Sequence, residues 1–471
     1  MDKVIRRGSA RTFFCGYFNW SEKVSEALGK KYVFNENTGE KGWKPQVVSD
    51  GYGIWCPDLD GRPEIIKDYR YWCGAYYESY VESLLDSGQA QEKKSYLYNE
   101  TGHWVIDADS ACCLKYCSHD KSCNLLDTCS STSREYRFTV KRLHLFRFAF
   151  GKCIFAIEIH ASDVNLDDLT FFHYAMRDVS MLKGAKYDGW NEYLHALESL
   201  KDMSPDGEYT GWVDTGAKLK AFQIVGSDYI GDDLLYELGT LSAIGSLKEG
   251  GYFSPSEAYY NSIMTVNKVS VFRNWSALAL LDTFTVVGKG LDRDFVWAAS
   301  YFRMIYVHVL YQKDLLFDIN RRFRNPDAVL DARGLVKEVK DIERYYAFPA
   351  ISYNFLPQLI YEKIKEGLDV DKEREQIHKY IEQETSRQEA EREKASAEAE
   401  KKLSMALTGL TILTLGSVLY DVTSLVSEFI GVGTVCCQRW VSAGVFVVIF
   451  IVVYFLFRKY IDEWFRGIWK K

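Results

Sequence analysis

Two uninterrupted apolar runs, Leu403 to Tyr420 and Val441 to Phe457, stand twenty residues apart and directly follow a heavily charged segment. At 18 and 17 residues, each approaches the roughly 20 that an α-helix needs to cross about 30 Å of hydrocarbon. The second run, Val-Val-Ile-Phe-Ile-Val-Val-Tyr-Phe-Leu-Phe, ends sharply at Arg458 and Lys459, and Trp440 and Tyr454 suit its two interfaces. The pattern predicts two membrane helices. Lys401 and Lys402 precede the first span, and Arg458, Lys459, Arg466, Lys470 and Lys471 follow the second. The loop between carries Asp421, Glu428 and Arg439 alone. Because Lys and Arg near span ends are retained in the cytoplasm, both termini are expected inside, in a multi-pass arrangement in the cell inner membrane. Met1 to Arg11 lacks the apolar core of a cleaved signal, which keeps the residues before the spans in the cytosol.

Upstream of the spans, Asp371 to Lys402 carries ten acidic and eight basic side chains and no Gly or Pro. The segment from Leu359 onward reads as one long helix, a stalk continuous with the first span. The polar side of that span holds Ser404, Thr408, Thr411 and Asp421, with Gly409 and Gly416 opposite. Hydroxyls on one stripe suit water, and glycines on another let a second helix pack closely; hydroxyls bonded back to their own helix are the alternative. Two helices per chain cannot enclose a channel, so a pore requires further copies.

Earlier in the chain the periods shorten. Tyr136, Phe138 and Val140 alternate with polar partners, and Leu143 to Phe150 and Cys153 to Ile159 flank Gly151-Lys152, which predicts an antiparallel hairpin. After Asp163 a short helix is expected, with Asp167 and Asp168 at its start and Arg177 at its end to suit its dipole. Residues 1–130 keep no period for long. Trp275, Leu278, Leu281 and Asp282 mark one face of a further helix, and Phe295 to Ile319 a second, in which His308 reads as packed core. The organisation predicted is an α+β cytoplasmic domain (1–255), a helical lobe (256–362), a long stalk helix (363–402), a transmembrane hairpin (403–457) and a basic tail (458–471).

Composition adds limits. With 47% hydrophobic and 15% aromatic residues, the cytosolic part can bury large cores. A net charge of -7 gives no footprint for direct nucleic-acid binding. Eleven cysteines in a reducing compartment argue against a disulfide framework. Five of them, Cys112, Cys113, Cys117, Cys123 and Cys129, crowd around His119. Their spacing lacks a C-x2-C knuckle, so reduced cysteines in a surface insertion stand first and zinc second. The chain has no P-loop, dinucleotide fingerprint, H-E-x-x-H or G-x-S-x-G, so neither an enzyme nor a cofactor is expected.

The layout of the carboxy-terminal half resembles the CorA-type divalent-cation channels, homopentamers whose first span lines the pore. Their Gly-Met-Asn signature is missing; Tyr420-Asp421-Val422-Thr423 stands in its place. Three segments are similar to a divergent branch, the CorA-like membrane effectors of type III CRISPR systems. They are Leu143-His-Leu-Phe-Arg-Phe-Ala-Phe-Gly-Lys-Cys-Ile-Phe-Ala-Ile-Glu-Ile, Asn274-Trp-Ser-Ala-Leu-Ala-Leu-Leu-Asp and Tyr301-Phe-Arg-Met-Ile-Tyr-Val-His-Val-Leu-Tyr-Gln-Lys. The resemblance implies a homopentamer in a lipid bilayer, passing cations, gated by a small nucleotide such as an S-adenosylmethionine–AMP conjugate, and acting in antiviral defence by membrane disruption. A divalent metal (Mg2+ type) transporter is the alternative. An adenine-bearing anion needs stacking surface and positive donors, which makes Arg147, Lys152, Arg273 beside Trp275, and Arg303 the candidate ligand residues.

Overall fold

The computed structural model describes residues 6–20, 22–34, 39–45, 54–57, 63–66, 77, 102–117, 133–177, 190–198, 218–249, 254–291, 297–324, 332–429, 440, 444, 447 and 451. It forms two units, residues 1–378 and 379–471.

The first unit is a mixed α+β structure with thirteen strands among the described residues. They are β1 (Arg7–Asn19), β2 (Lys31–Tyr32), β3 (Lys41–Gly42), β4 (Lys44–Pro45), β5 (Ile54–Pro57), β6 (Pro63–Ile66), β7 (Gly102–Cys117), β8 (Ser133–Phe148), β9 (Lys152–Asn165), β10 (Lys220–Ser227), β11 (Lys268–Val269), β12 (Trp275–Ala279) and β13 (Thr283–Gly288). Nine of them make one sheet in the order β11-β12-β13-β10-β1-β9-β8-β7-β4. Only β10 and β13 run parallel, because the helices Asp232–Thr240 and Glu257–Val266 and strands β11 and β12 lie between them in sequence.

The expected hairpin is β8–β9, with Phe148 opposite Lys152. Phe150 and Gly151 take left-handed backbone at φ 60° and 66°, the mirror-type turn that matches strand twist. The expected short helix is Leu166–Arg177, with Asp167 and Asp168 in its first turn and Arg177 in its last.

Both faces of the sheet are covered, which explains why its central strands lack a polar face. Phe14, Phe18, Phe155 and Ile157 enter the larger core with Phe172 and Trp190. Gly16 has a packing duty there: a Cβ on it would come within 2.3 Å of the Phe155 ring. On the other face, Phe13 stacks on Phe302 with ring centroids 3.8 Å apart, and Phe148 on Tyr311 at 4.4 Å.

Two expectations are corrected. Trp275 to Asp282 is strand β12 and a turn, and its strands complete the sheet, so residues 256–362 are not an all-helical lobe. Trp275, Ser276, Ala277, Leu278 and Ala279 are all buried; with two covered faces no alternation survives, and Trp275 and Leu278 fell at helical spacing by chance. The helix beginning near Leu359 is also not continuous. Phe355–Gly367 and Val370–Phe429 are separate helices, parted where Asp369 turns to φ 54°. Gly367 approaches β12 so closely that a Cβ would meet the Ala279 carbonyl oxygen at 2.7 Å.

The expected second helix is present as a π-helical stretch, Trp297–Tyr306, followed by the α-helix Val307–Arg324. His308 is buried as expected, stacked on Phe348 at 5.3 Å. The run Arg321, Arg322, Phe323, Arg324 closes that helix, Arg321 pairing with Asp318 and Arg322 with Glu338.

The second unit is described chiefly through residues 379–429, the greater part of the helix Val370–Phe429. Its portion up to Val422 contains a stretch long and apolar enough to cross a membrane. The second expected span lies outside the described residues except for Gly444, Val447 and Ile451, which are helical.

Replacing Phe13 or Phe302, each 1% exposed, by Ala removes a ring and leaves a cavity. Each substitution is expected to cost about 3–5 kcal/mol in urea unfolding followed by tryptophan fluorescence. Phe317→Ala, at 42% exposure, is expected to cost under about 1 kcal/mol.

Candidate functional site

Alternate residues of β1, β7, β8 and β9 place a polar group under the π-helical stretch, inside an otherwise apolar layer. Its centre is Glu158 on β9, 2% exposed. A buried carboxylate persists only when donors replace its lost water. Arg11 on β1 donates from Nη2 to Oε1 at 2.6 Å, His160 from Nε2 to Oε1 at 2.8 Å, and His144 on β8 from Nε2 to Oε2 at 2.9 Å. Burial, the largest single influence, pushes the carboxyl up. The Arg11 charge and the two imidazole hydrogen bonds together pull it well below its ordinary value.

The arrangement continues outward. His144 Nδ1 lies 3.2 Å from Nε2 of His103 on β7. Since the Glu158 carboxylate can only accept, His144 carries its proton on Nε2, so its Nδ1 accepts from His103 Nε2–H. His103 Nδ1 is thereby left as a bare acceptor, buried and without a hydrogen-bond partner among the described residues. The His103 ring stacks on Phe146 at 4.2 Å. Burial, then the charge of Arg303, hold His103 well below its ordinary value; burial also lowers His144. Phe302 forms the lid over Phe13, and the next residue is Arg303, 4% exposed, whose Nη1 also has no hydrogen-bond partner among the described residues. A buried cation with an unpartnered nitrogen thus follows the residue that caps the layer holding this fixed acceptor.

The structure disperses the residues expected to bind ligand. Lys152 donates to Asn19 Oδ1 at 3.0 Å and stands 3.5 Å from both Asp314 and Asp318. These residues, with Tyr17 and Phe317, line a pocket of about 40 Å³, and the ammonium charge is already taken up. Arg147 stacks over Trp20 at 4.3 Å on the opposite face of the hairpin. Arg273 is exposed ahead of β12, while Trp275 is buried against Gly288. Of the five, Arg303 is the one that adjoins in sequence a residue packed on the Glu158 layer: Phe302 lies over Phe13 at 3.8 Å and meets His144 at 6.3 Å. Sequence reading missed the cluster itself. Its signal was a charged or imidazole residue at alternate positions of apolar strands, His144 on β8 and Glu158 and His160 on β9; Arg11 and His103 become partners only through long-range strand pairing.

Adjacent Cys112 and Cys113 point to opposite faces of β7. Cys112 is buried in the core, its thiol pushed up to about 11 by burial, and Cys113 lies 3.3 Å from Glu135. His119, Cys123 and Cys129 lie outside the described residues. Among the described residues no cluster of His, Cys, Asp and Glu is arranged to hold a metal ion.

On the long helix, Thr408 Oγ1 donates to the Ser404 carbonyl at 2.8 Å and Thr411 Oγ1 to that of Leu407 at 2.7 Å. Those hydroxyls are satisfied within the helix. At about 100° per residue, Asp421 is turned about 100° from Ser404 and does not share the hydroxyl stripe. Comparison with family models, with curated proteins and with solved structures finds no match.

Burial holds His173 and His308 at about 4, in line with the depressed His103 and His144. Unfolded imidazoles take up protons near 6.5, and the folded ones resist until much lower pH. Their contribution to stability is therefore complete above about 6.5 and lost as pH falls toward about 4. Glu158, depressed when folded, adds a loss below about 4.5. The urea midpoint is expected to fall steadily from pH 6.5 to 4.5, with His173→Gln plus His308→Gln flattening the decline. A midpoint constant across that window contradicts the burial of these imidazoles.

Proposed function

We propose that the chain is a membrane-embedded channel effector. It assembles as a homo-oligomer, most simply a pentamer, and is gated by a nucleotide messenger of the S-adenosylmethionine–AMP type in type III CRISPR antiviral defence. Both spans cross the inner membrane with the termini inside, and opening leaks cations across it. The observation that carries this reading is the make-up of one helix. Within Val370–Phe429, a segment dense in charge gives way at Leu403 to exposed Leu407, Leu410, Leu413, Val418 and Leu425. Leu413 is 73% exposed. Soluble proteins rarely leave such a row in water, and lipid or further copies of the same helix satisfy it. The hydroxyls of Thr408 and Thr411 are bonded to their own helix, so the same span tolerates lipid on any side.

Cation preference rests on Asp421, which is exposed on the helix. A ring of carboxylates attracts cations without the octahedral geometry that magnesium demands. A ligand opens such an assembly only to the extent that it binds the open arrangement more tightly than the closed one.

Purified protein in several mild detergents is expected to be a symmetric oligomer by light scattering. In dye-loaded vesicles it is expected to leak on addition of the conjugate, with Asp421→Ala reducing the preference for cations over anions. A monomer in every detergent overturns the channel reading, and vesicles that stay sealed with messenger present overturn the gating.

A further inference from the structure

The charges around the Glu158 cluster do not balance. Arg11 pairs with Glu158 at 2.6 Å, and Arg142 with Asp107 at 2.7 Å. His103 and His144 are held neutral at physiological pH by burial, and His160 spends its Nε2 on Glu158. Arg303 is left as one buried positive charge with Nη1 unsatisfied and no carboxylate beside it among the described residues. An unpaired buried charge is strongly disfavoured, and a protein keeps one where a ligand of opposite sign supplies the partner. His103, whose Nδ1 the chain from Glu158 through His144 fixes as an acceptor, belongs to the same layer: its ring stacks on Phe146 at 4.2 Å, and Phe146 meets the edge of Phe302, the residue before Arg303, at 6.4 Å. The ten-residue π-helical stretch that delivers Arg303 is an unusual backbone form that recurs at functional sites.

We propose that Arg303 and His103 form a receiving pair for a phosphate group that also offers a hydrogen. The guanidinium takes the anionic oxygens, and His103 Nδ1 accepts from the P–OH or from an adjoining ribose hydroxyl. Phe302, packed on Phe13 at 3.8 Å, and Phe146, packed on His103 at 4.2 Å, supply aromatic surface next to the two residues. The assignment deepens the nucleotide-gated reading and rests on it for the source of the phosphate.

The donor requirement makes the inference testable with simple probes. In detergent at pH 7.5, inorganic phosphate and AMP, each at tenfold excess over its Kd, are expected to raise the melting temperature of the full chain by about 2–4 °C. Sulfate, which carries no proton at that pH, is expected to bind at least tenfold more weakly. Arg303→Met should weaken phosphate binding by about 10–100-fold without lowering the unliganded melting temperature, because it removes an unpaired buried charge. His103→Phe keeps the stack on Phe146 and should abolish the preference for phosphate over sulfate. It decides the matter if Arg303→Met does not fold. No stabilisation of wild type by phosphate or AMP overturns the site, as do unaltered binding in Arg303→Met or a preserved phosphate preference in His103→Phe. Melting in detergent does not depend on conduction, so vesicles that stay sealed would sink the gating and leave this result standing. Messenger-driven leakage that persists in Arg303→Met would sink this site and leave the channel.

Discussion

A single buried carboxylate, Glu158, links strands that are far apart in sequence. It receives Arg11 from β1 and His144 from β8, and through His144 it reaches His103 on β7. Removing it would leave a guanidinium and two imidazoles facing an apolar layer, a loss far beyond that of an exposed ion pair. The register of four neighbouring strands is tied to it. A slip of one residue would turn Glu158 into the Phe14–Phe155 core and Ile157 or Ile159 toward Arg11, so the polar cluster also enforces pairing.

This arrangement explains what the sequence could and could not reveal. The β8–β9 hairpin and the helix Leu166–Arg177 are local, written in alternation, a turn glycine and charges at helix ends, and they were legible. Strand β12 was not, because both of its faces are buried and a doubly covered strand shows no period. The break at Asp369 was hidden for a different reason. Gly367 is required by the approach of the Ala279 carbonyl, a contact with a strand far back in the chain. Among the candidate residues, Arg303 could be read as a cation beside aromatics; whether a cation is already neutralised, as Lys152 is by Asp314 and Asp318, depends on tertiary pairing.

The long helix shows the limit in the opposite direction. Its composition gave both its helicity and its apolar stretch, since no Gly or Pro interrupts Asp371 to Lys402. The function of its hydroxyls does not follow from position, because Thr408 and Thr411 satisfy themselves on the preceding turn. A threonine so bonded can face lipid or water at little cost, and the angular stripe by itself does not choose between them.

The chemistry of His103 favours holding a ligand over transforming one. The chain Glu158–His144–His103 has the outline of a relay that readies a base, but burial and the nearby Arg303 charge keep His103 far below its ordinary value. A base that weak has little driving force to take a proton at neutral pH. The same depression keeps Nδ1 unprotonated, and so available as an acceptor across the physiological range. An anion bound at Arg303 would cancel one of the charges that hold His103 down and so raise its proton affinity. Occupancy and protonation are thus coupled through the same pair of residues.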